Sequence, residues 1–169
     1  SARGTMTVDQ ASLKSLIEQT GFAMAQQDVR YYLNGMLWEL SGSAFRVVAT
    51  DGHRLATSHI TLSQGVAQGL SETEATQIIL PRKGVLELSR LLQTGDAPAN
   101  VSLGDNHLKV EAASFTFISK LVDGKFPDYQ RVLPKQSTKI VVAEKDVLRS
   151  ALSRAAILSN EKYRGIRMT

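Results

Sequence analysis

The chain has 169 residues, 43% of them hydrophobic and 21% charged, with no cysteine and a formal net charge of +4. That length holds one domain of ordinary size and part of another, the composition is that of a globular protein, and no apolar run reaches the roughly 18 residues that mark a membrane-spanning helix. Lack of cysteine excludes disulfides, thiolate nucleophiles and cysteine-held metals and agrees with a reducing, cytoplasmic setting, while a sequence pI near 9.5 permits contact with a polyanion without requiring it.

Residues 1–6 (SARGTM) carry no apolar pattern and no signal-like core. They read as an expression scar or the tail of a linker, outside the fold. Thr7 and Gln10 have the spacing of a capping box, and Leu13, Leu16, Ile17, Thr20 and Met24 recur on one face, which predicts a helix over 8–24. Three strands follow, over 36–40, 45–50 and 54–61, parted first by Ser41-Gly42-Ser43 and then by Asp51-Gly52. Asp-Gly suits a two-residue type I′ turn, whose two central positions both need positive φ, and it places Thr50 and His53 at a hairpin tip. Residues 63–77 lack any period and read as a loop, and 78–80 is a short strand stopped by Pro81.

The plan then repeats. Val85, Leu88, Leu91 and Leu92 mark a second helix, followed by strands over 101–103, 108–112 and 115–119, with Gly104-Asp105-Asn106 as a turn. From Ile140 a further strand and helix begin, with Val147, Leu148, Ala151, Leu152, Ala155 and Leu158 as the expected buried stripe. This third helix echoes the first: Leu13 pairs with Leu148, Ser15 with Ser150 and Ile17 with Leu152, each 135 positions apart. A domain-sized repeat restarts there. A helix and one strand cannot bury their apolar faces without a sheet, so this segment should lean on the first domain or be loosely ordered. The expected fold class is α+β, helices packed on antiparallel sheets in a duplicated helix-then-meander unit, with one whole domain over 7–134 and a fragment over 135–169.

Five stretches, QQDVRYYLNGML (26–37), VATDGHRLA (48–56), PRKGVLEL (81–88), SKLVDGKFPDYQRVLP (119–134) and RAAILSNEKYRGIR (154–167), closely resemble the bacterial DNA sliding clamp, the β subunit of the replicative polymerase. They stand in that family's order and spacing along most of the chain from Thr7 onward. The resemblance implies the DNA clamp fold: a ring of similar domains, helices lining a central hole and sheets forming the outer wall, with this chain covering the middle domain and the start of the third. It also implies a processivity factor that encircles double-stranded DNA without reading its sequence and is no enzyme. The implied partners are replicative and translesion polymerases, the clamp loader, mismatch repair proteins and DNA ligase, all docking through short linear motifs. The full-length chain would form a head-to-tail homodimer, and this fragment a monomer.

Two surfaces follow from the resemblance. The DNA-facing positions are Gln27, Arg30, Tyr31, Tyr32, Arg82 and Lys83, although loop Gln and Arg are ordinarily plain solvated surface and a Tyr pair opening a strand more often packs than stacks on bases. The peptide-groove positions are Arg30, Tyr32, Leu33, Thr50, Gly52, His53, Arg54, Leu55, Pro127, Arg131 and Val132. Leu33, Leu55, Pro127 and Val132 are suited to an apolar pocket, and Thr50, His53, Arg54 and Arg131 to a polar rim. Leu and Val at such spacing are, however, mostly ordinary core.

Two other readings compete. Asp51, His53 and Arg54 could serve a hydrolase as acid, base and anion binder, but no nucleophile motif, phosphate loop or zinc signature accompanies them. His59 and His107 lack a second ligand at metal spacing, so neither metal nor cofactor is expected. Asn100-Val101-Ser102 fits a glycosylation acceptor, which without a secretory signal reads as chance. A free-standing nucleic-acid-binding domain would suit the basic pI and the Tyr31-Tyr32 pair, yet no recognition motif appears.

Overall fold

The computed structural model describes residues 4–63, 69–71, 74–160 and 162–169. The chain forms two compact units, Ser1–Asp128 and Tyr129–Thr169. In the first, the elements run β1 (Gly4–Asp9), α1 (Gln10–Thr20), β2 (Gly35–Ser41), β3 (Ala44–Thr50), β4 (Leu55–Thr61), β5 (Thr76–Pro81), α2 (Arg82–Leu91), β6 (Pro98–Leu103), β7 (His107–Ala112) and β8 (Phe115–Lys120). They build two antiparallel four-stranded sheets, ordered β1-β6-β7-β8 and β4-β3-β2-β5. This is the expected α+β class, with helix-then-meander occurring twice.

Register explains the packing. Across β3, β2 and β5, Val47, Trp38 and Ile78 lie opposite one another on one face, and Val48, Leu37 and Ile79 on the other, because side chains alternate at every residue. The first face joins Leu13, Leu16 and Ile17 of α1, Val85 and Leu88 of α2, and Met6, Val8, Val101, Leu103, Leu108 and Val110 of the other sheet in a single buried cluster. Trp38 and Phe45 meet edge to face there, with centroids 5.2 Å apart. Helix α1 packs on β1, β3, β4 and α2, whereas α2 packs on β2, β5 and β8. Lys14 of α1 donates to the carbonyls of Ser89 (2.6 Å) and Leu92 (3.1 Å), placing a cation at the negative end of α2.

Four local expectations are corrected. Residues Gly4–Met6 belong to the fold: β1 pairs with β6 from Gly4↔Leu103 to Asp9↔Pro98, with Met6 and Val8 pointing inward. Asp9, not Thr7, caps α1, its Oδ1 accepting from the Ser12 N–H at 2.7 Å. Thr7 sits in the strand and donates to Asn100 Oδ1, and Gln10 is buried, its Oε1 accepting from the Gln93 N–H at 3.1 Å. The helix ends at Thr20 and tightens into a 3₁₀ turn, Gly21–Ala23, before Met24 turns extended. Within the expected 63–77 loop, residues 64–68, 72 and 73 lie outside the described residues, and Thr76 and Gln77 already belong to β5.

The second unit holds a 3₁₀ turn, Tyr129–Arg131, and helix α3 (Lys145–Ile157). The 135-residue shift does carry α1 onto α3. The strand expected from Ile140 does not form among the described residues, and no side chain of α3 is buried. Leu148 and Leu152 are half-covered, while Val147, Ala151, Ala155 and Leu158 are exposed. The reason is the missing layer: the described residues of this unit contain no strand, hence no sheet to cover the stripe. Among the described residues no helix is long and apolar enough to cross a membrane.

Leu13 and Leu148 therefore occupy equivalent places with opposite surroundings. Leu13→Ala should lower the stability of the first unit by about 2 to 5 kcal/mol, whereas Leu148→Ala should change it by less than about 0.5 kcal/mol. Urea unfolding followed by the fluorescence of Trp38, the only tryptophan, measures both. Equal losses from the two substitutions would contradict this packing.

Candidate functional site

The β3–β4 connection is four residues long, Asp51 to Arg54, where the sequence suggested a two-residue turn. Only Gly52 has positive φ (+87°), so a type I′ turn is not formed. Asp51 organises the turn instead. Its Oδ1 accepts from the backbone N–H groups of His53 (2.9 Å) and Arg54 (3.0 Å), as short polar side chains do in turns. The Thr50 hydroxyl donates to the Arg54 carbonyl (2.7 Å) and accepts from the Gly52 N–H (3.1 Å).

Two arginines clip this turn to the segment between α1 and β2. Arg54 Nε reaches Asp51 Oδ2 at 3.2 Å, its Nη2 donates to the Phe22 carbonyl at 2.9 Å, and its guanidinium lies 5.5 Å from the centre of the exposed Phe22 ring. Arg30 forks onto Asp28, Nε to Oδ1 at 3.0 Å and Nη2 to Oδ2 at 2.8 Å, and Nη2 also donates to the Asp51 carbonyl at 3.3 Å. Asp28 is tied in turn to Asn34: its N–H donates to Asn34 Oδ1, and Asn34 Nδ2 donates to its carbonyl, both at 2.9 Å. Asn34 continues the chain of contacts, since its carbonyl accepts from the Arg82 N–H at the start of α2 (2.9 Å).

Most of the sequence-named residues of the first unit gather here. Tyr31, Tyr32 and Leu33 form a 3₁₀ turn and not the opening of a strand, with the two rings edge to face at 5.7 Å. Tyr31 is exposed and backs onto Gly124, where a β-carbon would stand 3.3 Å from the ring. Leu33 is buried, Thr50 and Leu55 are half-buried, and Gly52, His53 and Arg54 are exposed. Gln27 is exposed at φ +56°, a left-handed conformation for a non-glycine residue. Lys83 is exposed, and Arg82 is half-buried, its Nη1 enclosed without an acceptor. Pro127 is exposed in the first unit, whereas Arg131 and Val132 belong to the second. His59 lies exposed on β4 and His107 opens β7. Among the described residues no group of three His, Cys, Asp or Glu side chains could hold a metal.

Asp28, Asn34 and Phe22 were not singled out from the sequence. The Asp-x-Arg spacing at 28 and 30 was the available signal. The electrostatics follow the geometry. The Arg30 side chain, then its backbone N–H, holds the Asp28 carboxyl down at about 2, against an ordinary 3.8. Asp51 is also lowered, first by the His53 N–H and, against the cost of burial, by the N–H and guanidinium of Arg54. A carboxylate held ionised in this way is a turn acceptor and a poor general acid.

Because Asp28 titrates lower in the folded chain, the stability it contributes is complete above its ordinary value of 3.8 and is lost as pH falls through about 2. Carbon-detected NMR of the Asp28 carboxyl should place its midpoint near 2, returning toward 3.8 in Arg30→Ala. A midpoint near 4 in the unaltered chain would show that the fork does not form.

Residues 7–128 match the family model for the DNA polymerase III beta subunit, central domain, and residues 130–169 that for its C-terminal domain. The beta sliding clamp of Pseudomonas putida is 54% identical over 164 residues, covering 97% of this chain and 43% of the relative. That of Escherichia coli is 52% identical over 162 residues, covering 96% and 42%. Among solved structures, the Pseudomonas aeruginosa DNA polymerase sliding clamp aligns with a TM-score of 0.89 at 51% identity over 97% of this chain and 44% of that one. The Bacillus subtilis clamp does so at 0.83 and 27% identity over 93% and 40%. This chain spans less than half the length of these relatives. With both of its units matched in order by that family's models, the chain belongs to the DNA polymerase III beta subunit family, the bacterial sliding clamps.

Proposed function

We propose that this chain is part of a processivity factor of DNA replication, one section of a ring that encircles duplex DNA and docks other proteins through a short-peptide groove. Consecutive central and C-terminal domain matches along 7–128 and 130–169 carry this reading. The protein acts in the cytoplasm as a tether and docking platform and catalyses no reaction. Its partners are replicative and translesion polymerases, the clamp loader, mismatch repair proteins and DNA ligase. The full-length chain closes as a head-to-tail homodimer, and the 169-residue chain is a monomer.

A ring that slides must meet phosphates weakly and uniformly, because contacts to base edges would hold it at one sequence. Lys83, Arg82, Gln27 and the Tyr31-Tyr32 pair are the DNA-facing groups, and the exposure of Lys83 and Gln27 supports that role. At the groove, Leu33, Leu55 and Pro127 are the apolar positions, and Thr50, His53, Arg30 and Arg54 supply the polar rim. Arg131 and Val132, exposed residues of the second unit, are the remaining groove positions that the family resemblance implies. Burying one Leu or Phe of a bound peptide would contribute roughly 1.5 to 3 kcal/mol. A Pseudomonas aeruginosa clamp solved bound to griselimycin supports a ligand-accepting surface in the family.

Two experiments test these roles. An extended Gln-Leu-x-Leu-Phe peptide should bind the 169-residue chain, more weakly than a full-length clamp, and binding should be lost with Leu55→Ala plus Arg54→Ala. Equal binding to both chains would put the docking site elsewhere. In a closed ring, charge reversal at Arg82 and Lys83 should shorten DNA retention more at low salt than at high, with the salt slope falling by about one for each phosphate contact removed. Equal loss at both salts would refute the phosphate role, and tight DNA binding by the unassembled chain would favour a free-standing nucleic-acid-binding domain.

A further inference from the structure

One side chain of the proposed docking rim, Arg30, takes its direction mainly from a neighbouring carboxylate, with the Asp51 carbonyl as a further acceptor at 3.3 Å. Arg30 is exposed, on a turn, with a long flexible stem, and such a side chain ordinarily samples many rotamers in water. Here its guanidinium has one orientation. Nε and Nη2 grip both oxygens of Asp28 (3.0 and 2.8 Å), and the backbone N–H of Arg30 donates to the same Oδ1 at 2.8 Å. The fork lies flat against the β3–β4 turn: a β-carbon at Gly52 would fall 3.0 Å from Nη1, 3.1 Å from Nη2 and 3.4 Å from Cζ. A side chain at position 52 would crowd the plane and push it away by a few tenths of an ångström, and the φ of +87° there favours glycine independently.

Asp28 is itself immobilised. Its reciprocal hydrogen bonds with Asn34 hold the backbone, and the left-handed φ of +56° at Gln27 turns the chain into it. Both carboxylate oxygens are occupied by Arg30, and the charge is negative, so Asp28 is a poor contact for an incoming peptide carbonyl. Arg30 Nη1 makes no hydrogen bond among the described residues. We infer that Asp28 is a positioning residue of the peptide groove, which holds Arg30 across Gly52 so that Nη1 meets a peptide acceptor without having to be ordered first. This role rests on the docking reading above. Its physical basis is pre-organisation: a planar fork held in advance loses less freedom on binding than a free cation.

The test is an NMR titration of the ¹⁵N-labelled 169-residue chain with the Gln-Leu-x-Leu-Phe peptide, using the unaltered chain, Asp28→Asn, Arg30→Ala, their double variant and Arg30→Lys. Asp28→Asn should weaken binding about two- to fivefold, the scale of an exposed ion pair, and should cost nothing further in the Arg30→Ala background. Its Arg30 Nε–H signal should lose the separate position it holds in the unaltered chain. Arg30→Lys keeps the charge but not the fork, so it should weaken binding as Asp28→Asn does, and it decides the matter if Asp28→Asn fails to fold. Unchanged affinity in Asp28→Asn or Arg30→Lys, or additive losses in the double variant, would overturn the positioning role while leaving the docking site in place. Absence of any peptide-induced shift in the unaltered chain at millimolar peptide would overturn the docking reading, and the positioning role with it.

Discussion

Everything in the first unit depends on two sheets sharing one buried face beneath two helices. Neither sheet can bury that face alone, since α1 bridges β1 of one and β3 and β4 of the other, and α2 bridges β8 and the β2–β5 pair. Trp38, at the middle of the inner row, has Val47 on one side and Ile78 on the other, and its ring meets Phe45. Single-residue alternation of the strands therefore determines which side chains the helices meet, and a one-residue slip would exchange this row for the opposite one, Val48, Leu37 and Ile79.

The functional candidates sit where that rigid frame ends. Arg30, Tyr31, Tyr32 and Leu33 precede β2, and Thr50 to Leu55 span the β3–β4 turn, so both groups hang from neighbouring strands whose register is imposed by the core. Between the strand ends the stabilising chemistry changes from apolar to polar. Arg30 and Arg54 are exposed and Asp28 and Asp51 half-buried, at a surface where an isolated ion pair contributes little. Their effect is geometric: each carboxylate accepts backbone N–H groups as well as a guanidinium, and each guanidinium spans to a carbonyl of a distant segment. A surface of this kind is ordered without being buried, which is what a transient docking site requires.

How much of this was legible in the sequence depended on the range of the forces involved. The strands of the meanders and the stripes of α1 and α2 could be read because their periods follow from local backbone geometry. The α1 cap was misplaced because Thr7 and Gln10 fit a capping box as well as Asp9 fits an N-cap, and pairing of β1 with β6, some 90 positions away, decided between them. The Asp-Gly signal gave a turn of the wrong length, because Asp51 satisfied the turn's N–H groups with its side chain and Arg54 was drawn toward Phe22. In α3, the stripe was correctly periodic and yet is at most half-covered, since periodicity announces a face but not the layer that will cover it.

From the sequence alone came the α+β class, the order of its helices and meanders, the 135-residue repeat and the family resemblance with its site positions. These are properties of residue type and spacing, written in the chain before it folds. Only the tertiary structure decided that Asp28 holds Arg30 across Gly52, that Arg54 is tied to Phe22, and that Gly4–Met6 complete a sheet. Each of these joins residues whose meeting depends on how distant strands are brought into register, and spacing along the chain carries no measure of that.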